Sequence, residues 1–217
     1  MKTLRRRRPW AGPHERLIPS AVAWAFSAWV LAWAAVVLWA YGPQNFLWLC
    51  NLAQFLVLYA LWRDDRLVLS SQAGVVCLVG MVWTADFMLG LGTGGRGARI
   101  TAYMFDPNLP LLARASSLYH AGLPVFMLWL LSRVGYDRRG PWLQCAIGAV
   151  AVVAGWLLTE PYRNINWVHA PFGIDQVWLP PPLYVALLPL LYPLLLYLPG
   201  HYLVLGMLRM HRALRHH

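Results

Sequence analysis

Six long apolar segments, separated by short polar or charged stretches, dominate this sequence. A helix needs about 20 mostly apolar residues to cross the hydrocarbon core of a bilayer. Segments of this kind occupy residues 18–41, 44–62, 67–91, 114–134, 141–159 and 181–210. We therefore predict an all-α polytopic membrane protein with six transmembrane helices in one domain, residues 18–210. A basic cytoplasmic segment, residues 1–17, precedes this domain, and a basic cytoplasmic tail, residues 211–217, follows it.

The composition excludes an ordinary water-soluble domain. Hydrophobic residues make up 59% of the 217 residues and charged residues only 12%, whereas soluble domains carry about 25% charged residues. The 13 Trp and 10 Tyr suit the two membrane interfaces, where amphipathic rings are enriched. The first apolar segment is too long for the core of a signal peptide, so we expect it to remain as the first span.

The positive charges predict the orientation. Four basic residues fall on one side of the predicted spans: Arg96, Arg99, Arg114 and Arg163. The other 14 of the 18 fall on the opposite side: Lys2, Arg5, Arg6, Arg7, Arg8, Arg16, Arg63, Arg66, Arg133, Arg138, Arg139, Arg209, Arg212 and Arg215. The positive-inside rule places the richer side, with both termini, in the cytoplasm. We expect a multi-pass protein of the inner (plasma) membrane.

The same distribution bears on partners. The net charge of +10 lies at the ends of apolar segments and forms no basic face on a polar domain, so nucleic acid is not expected as a partner. The expected partners are membrane lipids and other membrane proteins.

Three chemically distinct polar residues are predicted at one depth in the membrane. Cys50, Asp86 and His120 each lie about 8–9 Å below the outer boundary of their spans, at 1.5 Å per residue. Ionisable residues inside spans are costly and are candidates for function. An imidazole activates a thiol, and a carboxylate orients the imidazole. We predict that Cys50 attacks, His120 moves the proton and Asp86 orients His120.

Each of these residues also has a structural interpretation. Cys50 is compatible with a small buried apolar residue, and His120 with a hydrogen bond between helices. Asp86 is compatible with pairing to His120 or Arg114. A metal site from these residues and Glu160 is chemically reasonable, but no ligand pair at helical spacing supports it, so no metal or cofactor is predicted.

Further polar residues lie near the same face. Five are predicted to contact substrate, to hold an oxyanion or to shape the loops: Asn51, Gln54, Glu160, Asn164 and Asn166. The two longer outer loops, residues 92–113 and 160–180, are expected to cover the site. A di-haem cytochrome is excluded, because His120 and His201 are predicted at opposite depths and such a site needs four suitably placed histidines.

Three short motifs resemble a known family. Residues 46–53 read Phe-Leu-Trp-Leu-Cys-Asn-Leu-Ala, which resembles the second-span signature of YwaF-like bacterial integral membrane proteins. Residues 116–120, Ser-Ser-Leu-Tyr-His, resemble that family's histidine motif, and residues 164–167, Asn-Ile-Asn-Trp, resemble its outer loop. The similarity extends over residues 42–204.

This family is similar to a mammalian transmembrane acyltransferase that remodels ether phospholipids with a Cys–His pair. The resemblance implies that Cys50 accepts the acyl group and that His120 is its base. Our hypothesis is therefore an acyltransferase or hydrolase acting on lipid esters near the outer leaflet. The alternative is a non-catalytic membrane subunit of a larger complex that binds partners, lipid or pigment.

Overall fold

The computed structural model describes residues 16–214. The predictions for most of the basic segment 1–17 and for the end of the tail 211–217 lie outside these residues. No β-strand occurs in residues 16–214. The α-helices are α1 (Ser20–Tyr41), α2 (Leu49–Arg63), α3 (Arg66–Gly92), α4 (Leu111–Ala115), α5 (Tyr119–Val134), α6 (Gly140–Leu158), α7 (Pro181–Tyr192) and α8 (Leu198–Leu214).

Two of the predicted spans are built from successive helices. A 3-10 turn at Ser116–Leu118 joins α4 to α5, and a π-helical turn at Pro193–Tyr197 joins α7 to α8. Five segments are long and apolar enough to cross a membrane: Ser20–Tyr41, Arg66–Gly92, Leu111–Val134, Gly140–Leu158 and Pro181–Leu214. The all-α polytopic membrane fold is thus confirmed. The interruption of the last span begins at a proline, which lacks the N–H of a regular helical bond.

The helix in the predicted span at residues 44–62 starts later and is shorter than expected. Helix α1 ends at Gly42, whose φ of +77° is outside the helical region. A 3-10 turn at Pro43–Leu47 follows, and extended backbone at Trp48 separates it from α2. The α-helix is therefore only 15 residues long, shorter than the five candidate spans. As a result, Cys50 lies in the first turn of α2.

Helix α3 is the centre of the bundle and packs against α2, α5, α6 and α8. Small residues allow these close approaches. A Cβ atom on Gly200 of α8 would lie 2.6 Å from the carbonyl carbon of Gly74 in α3. A Cβ atom on Gly80 would collide with the backbone of His120 and the ring of Pro124 in α5. Close backbone approach is a common way for membrane helices to associate.

Buried apolar side chains fill both sides of α3. Trp33, Leu61 and Met127 belong to the cluster between α1, α2 and α5. Val152 and Leu188 belong to the cluster between α6 and α7. Many other large apolar side chains lie on the outside of the bundle, for example Leu31, Val125, Val150, Leu157 and Leu190. A bilayer accommodates such a surface, because apolar side chains can face lipid.

Ion pairs hold the end of the bundle that is predicted to be cytoplasmic. Arg16 pairs with Asp64 at 3.3 Å and also donates to the carbonyl oxygens at the end of α2. In the α5–α6 connection, Asp137 accepts two hydrogen bonds from the side chain of Arg139 and pairs with Arg66. The hydrogen bonds from Arg139 lower the pKa of Asp137 to about 2, so this carboxylate remains charged at neutral pH.

The contact between α3 and α8 is tested by adding one methyl group. Gly200→Ala places a Cβ atom against the backbone of Gly74, and overpacking of this kind costs about 1–3 kcal/mol. We expect the unfolding temperature in detergent to fall by about 2–12 °C. Gly206→Ala is the matched control in the same helix, because nothing lies within 4 Å of its Cβ position. Equal unfolding temperatures for the two variants would contradict the packing.

Candidate functional site

Cys50 is the second residue of α2. The N-terminus of a helix carries the equivalent of about half a positive charge, because its first N–H groups have no partners within the helix. Asn51 N donates to Trp48 O at 2.9 Å, whereas the backbone N–H of Cys50 has no hydrogen-bond partner within residues 16–214. The field of the helix terminus acts in favour of the thiolate form of Cys50, and burial of the side chain acts against it.

Asn166 fixes the start of α2. Its side-chain oxygen accepts a hydrogen bond from Leu49 N at 2.9 Å, and its side-chain nitrogen donates to Leu47 O at 2.8 Å. The Tyr192 hydroxyl donates to the backbone carbonyl of Asn166. Asn166 is buried and has a φ of +50°, a conformation that asparagine tolerates better than most residues. One side chain thus ties the α6–α7 loop to the helix that carries Cys50.

Asn51 connects α2 with α5. Its side-chain nitrogen donates to Asn45 O at 2.7 Å, and its side-chain oxygen accepts from the Tyr119 hydroxyl at 2.6 Å. The same hydroxyl lies beside the Cys50 thiol. Tyr119 therefore places the residue that follows it, His120, next to the start of α2.

The imidazole of His120 is held on both faces and at one nitrogen. Its ring stacks on Tyr119 at 4.1 Å and on Trp83 at 5.0 Å between centroids. Nδ1 lies 2.8 Å from the carbonyl oxygen of Ser117. A carbonyl only accepts hydrogen bonds, so in the neutral ring Nδ1 carries the proton and Nε2 keeps its lone pair. Within residues 16–214, Nε2 has no hydrogen-bond partner.

Cys50 and His120 line the same small cavity between α2, α3 and α5. Its other lining residues are Val76, Val79, Gly80, Tyr119, Leu123 and Pro124. The free space fits roughly one water molecule. The close approach at Gly80 brings α3 against His120. The structure thus brings together two of the three predicted catalytic residues.

Asp86 requires a correction. Its carboxylate accepts hydrogen bonds from Thr101 Oγ1 at 2.6 Å, Thr101 N at 2.8 Å and Arg99 N at 3.1 Å. The predicted hydrogen bond to His120 does not form among the described residues, because the loop after α3 folds back and occupies the carboxylate. The carbonyl of Ser117, and not a carboxylate, orients the imidazole.

The loop held by Asp86 reaches the site through Tyr103. The Tyr103 hydroxyl accepts from Trp83 Nε1 at 3.0 Å and lies beside the Ser117 side chain. Burial raises the pKa of Tyr103 to about 12. Phe105 packs on Phe87 at 5.7 Å between centroids. This outer loop therefore packs on the aromatic ring that supports His120.

None of the five other predicted residues lines the cavity, and three of them have partners elsewhere. Gln54 is fully buried one turn after Cys50, and its side-chain oxygen accepts from Trp29 Nε1 at 3.4 Å. Glu160 pairs with Arg163 at 2.9 Å. Asn164 accepts hydrogen bonds from two backbone N–H groups of its own loop, at 3.0 Å each. These side chains stabilise the bundle and the α6–α7 loop.

Several residues of the site were not predicted. Tyr119 is adjacent to His120 in the sequence, and a phenol beside a candidate base is a signal that points to it. Trp83 precedes Asp86 by one helical turn, but nothing in the sequence pairs it with the imidazole. Ser117 acts through its backbone carbonyl, a group that every residue has, so its role cannot be predicted from the residue type. The role of Gly80 depends on the helix that packs against it.

Known proteins give no further assignment. Comparison of the chain with protein-family models, with curated proteins and with solved structures finds no match. Within residues 16–214, no group of three or more His, Cys, Asp or Glu side chains is placed to hold a metal ion.

The correction at Asp86 is tested by proteolysis. Asp86→Asn puts an amide NH₂ among N–H and O–H donors, so we expect the loop to detach more often. Trypsin cleavage after Arg96 and Arg99, followed by mass spectrometry, should become several-fold faster than in the unchanged protein. Asp106→Asn is the control, because Asp106 bonds only to the nearby Asn108. An unchanged cleavage rate in Asp86→Asn would contradict this role.

The role of Asn166 is tested by thermal unfolding in detergent. Asn166→Ala leaves Leu49 N–H and Leu47 C=O without their partner, and each buried unsatisfied group costs about 1–3 kcal/mol. We expect a lower unfolding temperature and slower alkylation of Cys50 by a small maleimide, because the helix start loosens. Asn108→Ala, at an exposed loop position, should match the unchanged protein. A stable Asn166→Ala with normal Cys50 reactivity would exclude this role.

Proposed function

We propose that the protein is a membrane-embedded acyl-transfer enzyme that acts on lipid esters through Cys50 and His120. The observation that carries the proposal is their position on one cavity, with the thiol in the first turn of α2 and the imidazole Nε2 without a partner. The resemblance to YwaF-like proteins and their Cys–His acyltransferase relatives supports the same chemistry and is part of the proposal.

The first half-reaction transfers the acyl group to the protein. His120 Nε2 takes the proton of the Cys50 thiol, and the sulfur forms a bond to the carbonyl carbon of the ester. The carbon–oxygen bond of the ester then breaks. The leaving alkoxide receives the proton from the imidazolium, which yields a deacylated lipid and a thioester at Cys50.

The second half-reaction restores the thiol. An alcohol of an acceptor lipid, or water, gives its proton to His120 Nε2 and attacks the thioester carbonyl. The carbon–sulfur bond breaks, and the thiolate receives the proton back. Transfer to an alcohol gives a remodelled lipid, whereas transfer to water gives a free fatty acid.

Neighbouring groups assist these steps. The backbone N–H of Cys50 at the helix terminus is placed to donate to the oxyanion that develops at the carbonyl. The Ser117 carbonyl keeps the proton on Nδ1, so Nε2 remains the base. The Tyr119 hydroxyl, bonded to Asn51, positions the ring that stacks on the imidazole. The apolar surroundings suit a substrate that enters from the lipid phase.

The test is detection of the thioester. Purified protein is incubated with a bacterial phospholipid extract, and intact-protein mass spectrometry measures the mass of one added acyl chain. We expect an adduct at Cys50 that hydroxylamine removes. Cys50→Ala should abolish the adduct, and His120→Ala should slow its formation by at least about 100-fold, which is the lower range for a general base.

Cys145→Ala is the matched control, because this cysteine also lies in a membrane helix but outside the cavity. It should form the adduct at the normal rate. Full lipid acyl transfer by well-folded Cys50→Ala or His120→Ala protein would overturn the mechanism. An unreactive Cys50, together with stoichiometric co-purification of another membrane protein, would favour the non-catalytic subunit instead.

A further inference from the structure

Arg114 lies in α4, six residues before His120 on the continuous helical segment Leu111–Val134. Its side chain is half-buried. One guanidinium nitrogen, Nη1, donates to the carbonyl oxygen of Met104 at 3.0 Å. The Nε atom is buried and has no hydrogen-bond partner within residues 16–214. A partly desolvated guanidinium with a free donor is costly unless an acceptor is supplied.

A second unpartnered donor lies close to this one. The hydroxyl of Tyr41, at the end of α1, is also buried and without a hydrogen-bond partner among the described residues. The helix that Tyr41 ends, α1, packs against α4, which carries Arg114. Both free groups are hydrogen-bond donors, so the ligand that satisfies them is an acceptor.

The charge of Arg114 is not balanced by the described carboxylates. Arg114 forms no ion pair within residues 16–214. Of the four acidic residues on the same side, the exposed Asp175 does not pair with it, and three have other partners. Asp86 bonds to Thr101 and the Arg99 backbone, Asp106 bonds to Asn108, and Glu160 bonds to Arg163. An anion from outside the chain is therefore the group that fits.

This anion site adjoins the cavity of Cys50 and His120. Arg114 donates to the carbonyl of Met104, and the adjacent Tyr103 accepts from Trp83, whose ring stacks on His120. Along the helical segment, Arg114 and His120 are separated by about 9–11 Å, at 1.5 Å per α-helical residue and 2.0 Å per residue of the 3-10 turn. In a glycerophospholipid the ester carbonyls lie one glycerol unit deeper than the phosphate. A phosphate at Arg114 thus directs an ester toward His120.

We propose that Arg114 and Tyr41 bind the phosphate of a glycerophospholipid. Arginine suits this role, because its planar guanidinium donates several hydrogen bonds to phosphate oxygens. Binding of the phosphate does not depend on whether the protein catalyses acyl transfer. Only the conclusion that this lipid is the acyl donor rests on the proposed function.

The experiment measures lipid binding without activity. Purified protein in a neutral maltoside detergent is titrated with phosphatidylglycerol, and the apparent Kd is obtained from the lipid-dependent rise in unfolding temperature. We expect Arg114→Gln to weaken binding about tenfold or more and Tyr41→Phe to weaken it about threefold. Tyr41→Phe removes only a hydroxyl, so it keeps the test valid if Arg114→Gln fails to fold.

The controls separate the site from general attraction between an anionic lipid and other positive charges of the protein. Arg96→Gln, at an exposed position of the same side, should bind within twofold of the unchanged protein. Diacylglycerol with the same acyl chains should bind at least tenfold more weakly, because it lacks the phosphate. Inorganic phosphate at the same concentrations should give no stabilisation.

Three results would overturn the proposal. These are unchanged binding in Tyr41→Phe and in folded Arg114→Gln, equal binding of diacylglycerol, or stabilisation by inorganic phosphate as strong as that by the lipid. Cys50→Ala should bind phosphatidylglycerol normally. Acyl transfer that survives in Cys50→Ala would reject the proposed function and leave the phosphate site standing, whereas normal lipid binding by Arg114→Gln would reject the site alone.

Discussion

Helix α2 begins inside the bundle, where the N–H groups of its first turn need partners that lipid does not supply. Asn166 meets this need at Leu49 and holds the preceding turn through Leu47. Asn51 and Leu52 donate to the Trp48 carbonyl, so the thiol of Cys50 lies beside its own backbone N–H, which has no partner among the described residues. The need to satisfy a helix end in an apolar environment thus gives both the local architecture and the electrostatic character of the candidate site.

The central position of α3 follows from a related constraint. Membrane helices gain little from apolar contact alone, so small residues that let backbones approach closely take on much of the association. Gly74 allows contact with α8, and Gly80 allows contact with α5. The second contact brings α3 against His120. The packing of the bundle and the placement of the imidazole therefore depend on the same helix.

At the end of the bundle that is predicted to be outer, two roles expected of one polar layer belong to different residues. Asp86 anchors the loop after α3, and the Ser117 carbonyl fixes the tautomer of His120. A carbonyl orients the ring without adding a full negative charge to an apolar cavity, which is costly to bury. Arg114 and Tyr41 add unpartnered donors nearby, so the outer polar region offers both a nucleophile and a place for an anion.

Apolar segment length by itself determined the helical membrane class and most span boundaries, because a bilayer imposes a fixed length on any helix that crosses it. The charge distribution predicts an orientation through the positive-inside rule. The sequence also pointed to Cys50 and His120, since ionisable or nucleophilic residues are unusual in spans. Only the tertiary structure decided that these two share a cavity, that Asp86 accepts hydrogen bonds from the loop after α3, and that α2 starts at Leu49. Those outcomes depend on backbone carbonyls, glycine contacts and hydrogen bonds between residues more than 100 positions apart, which no local pattern encodes.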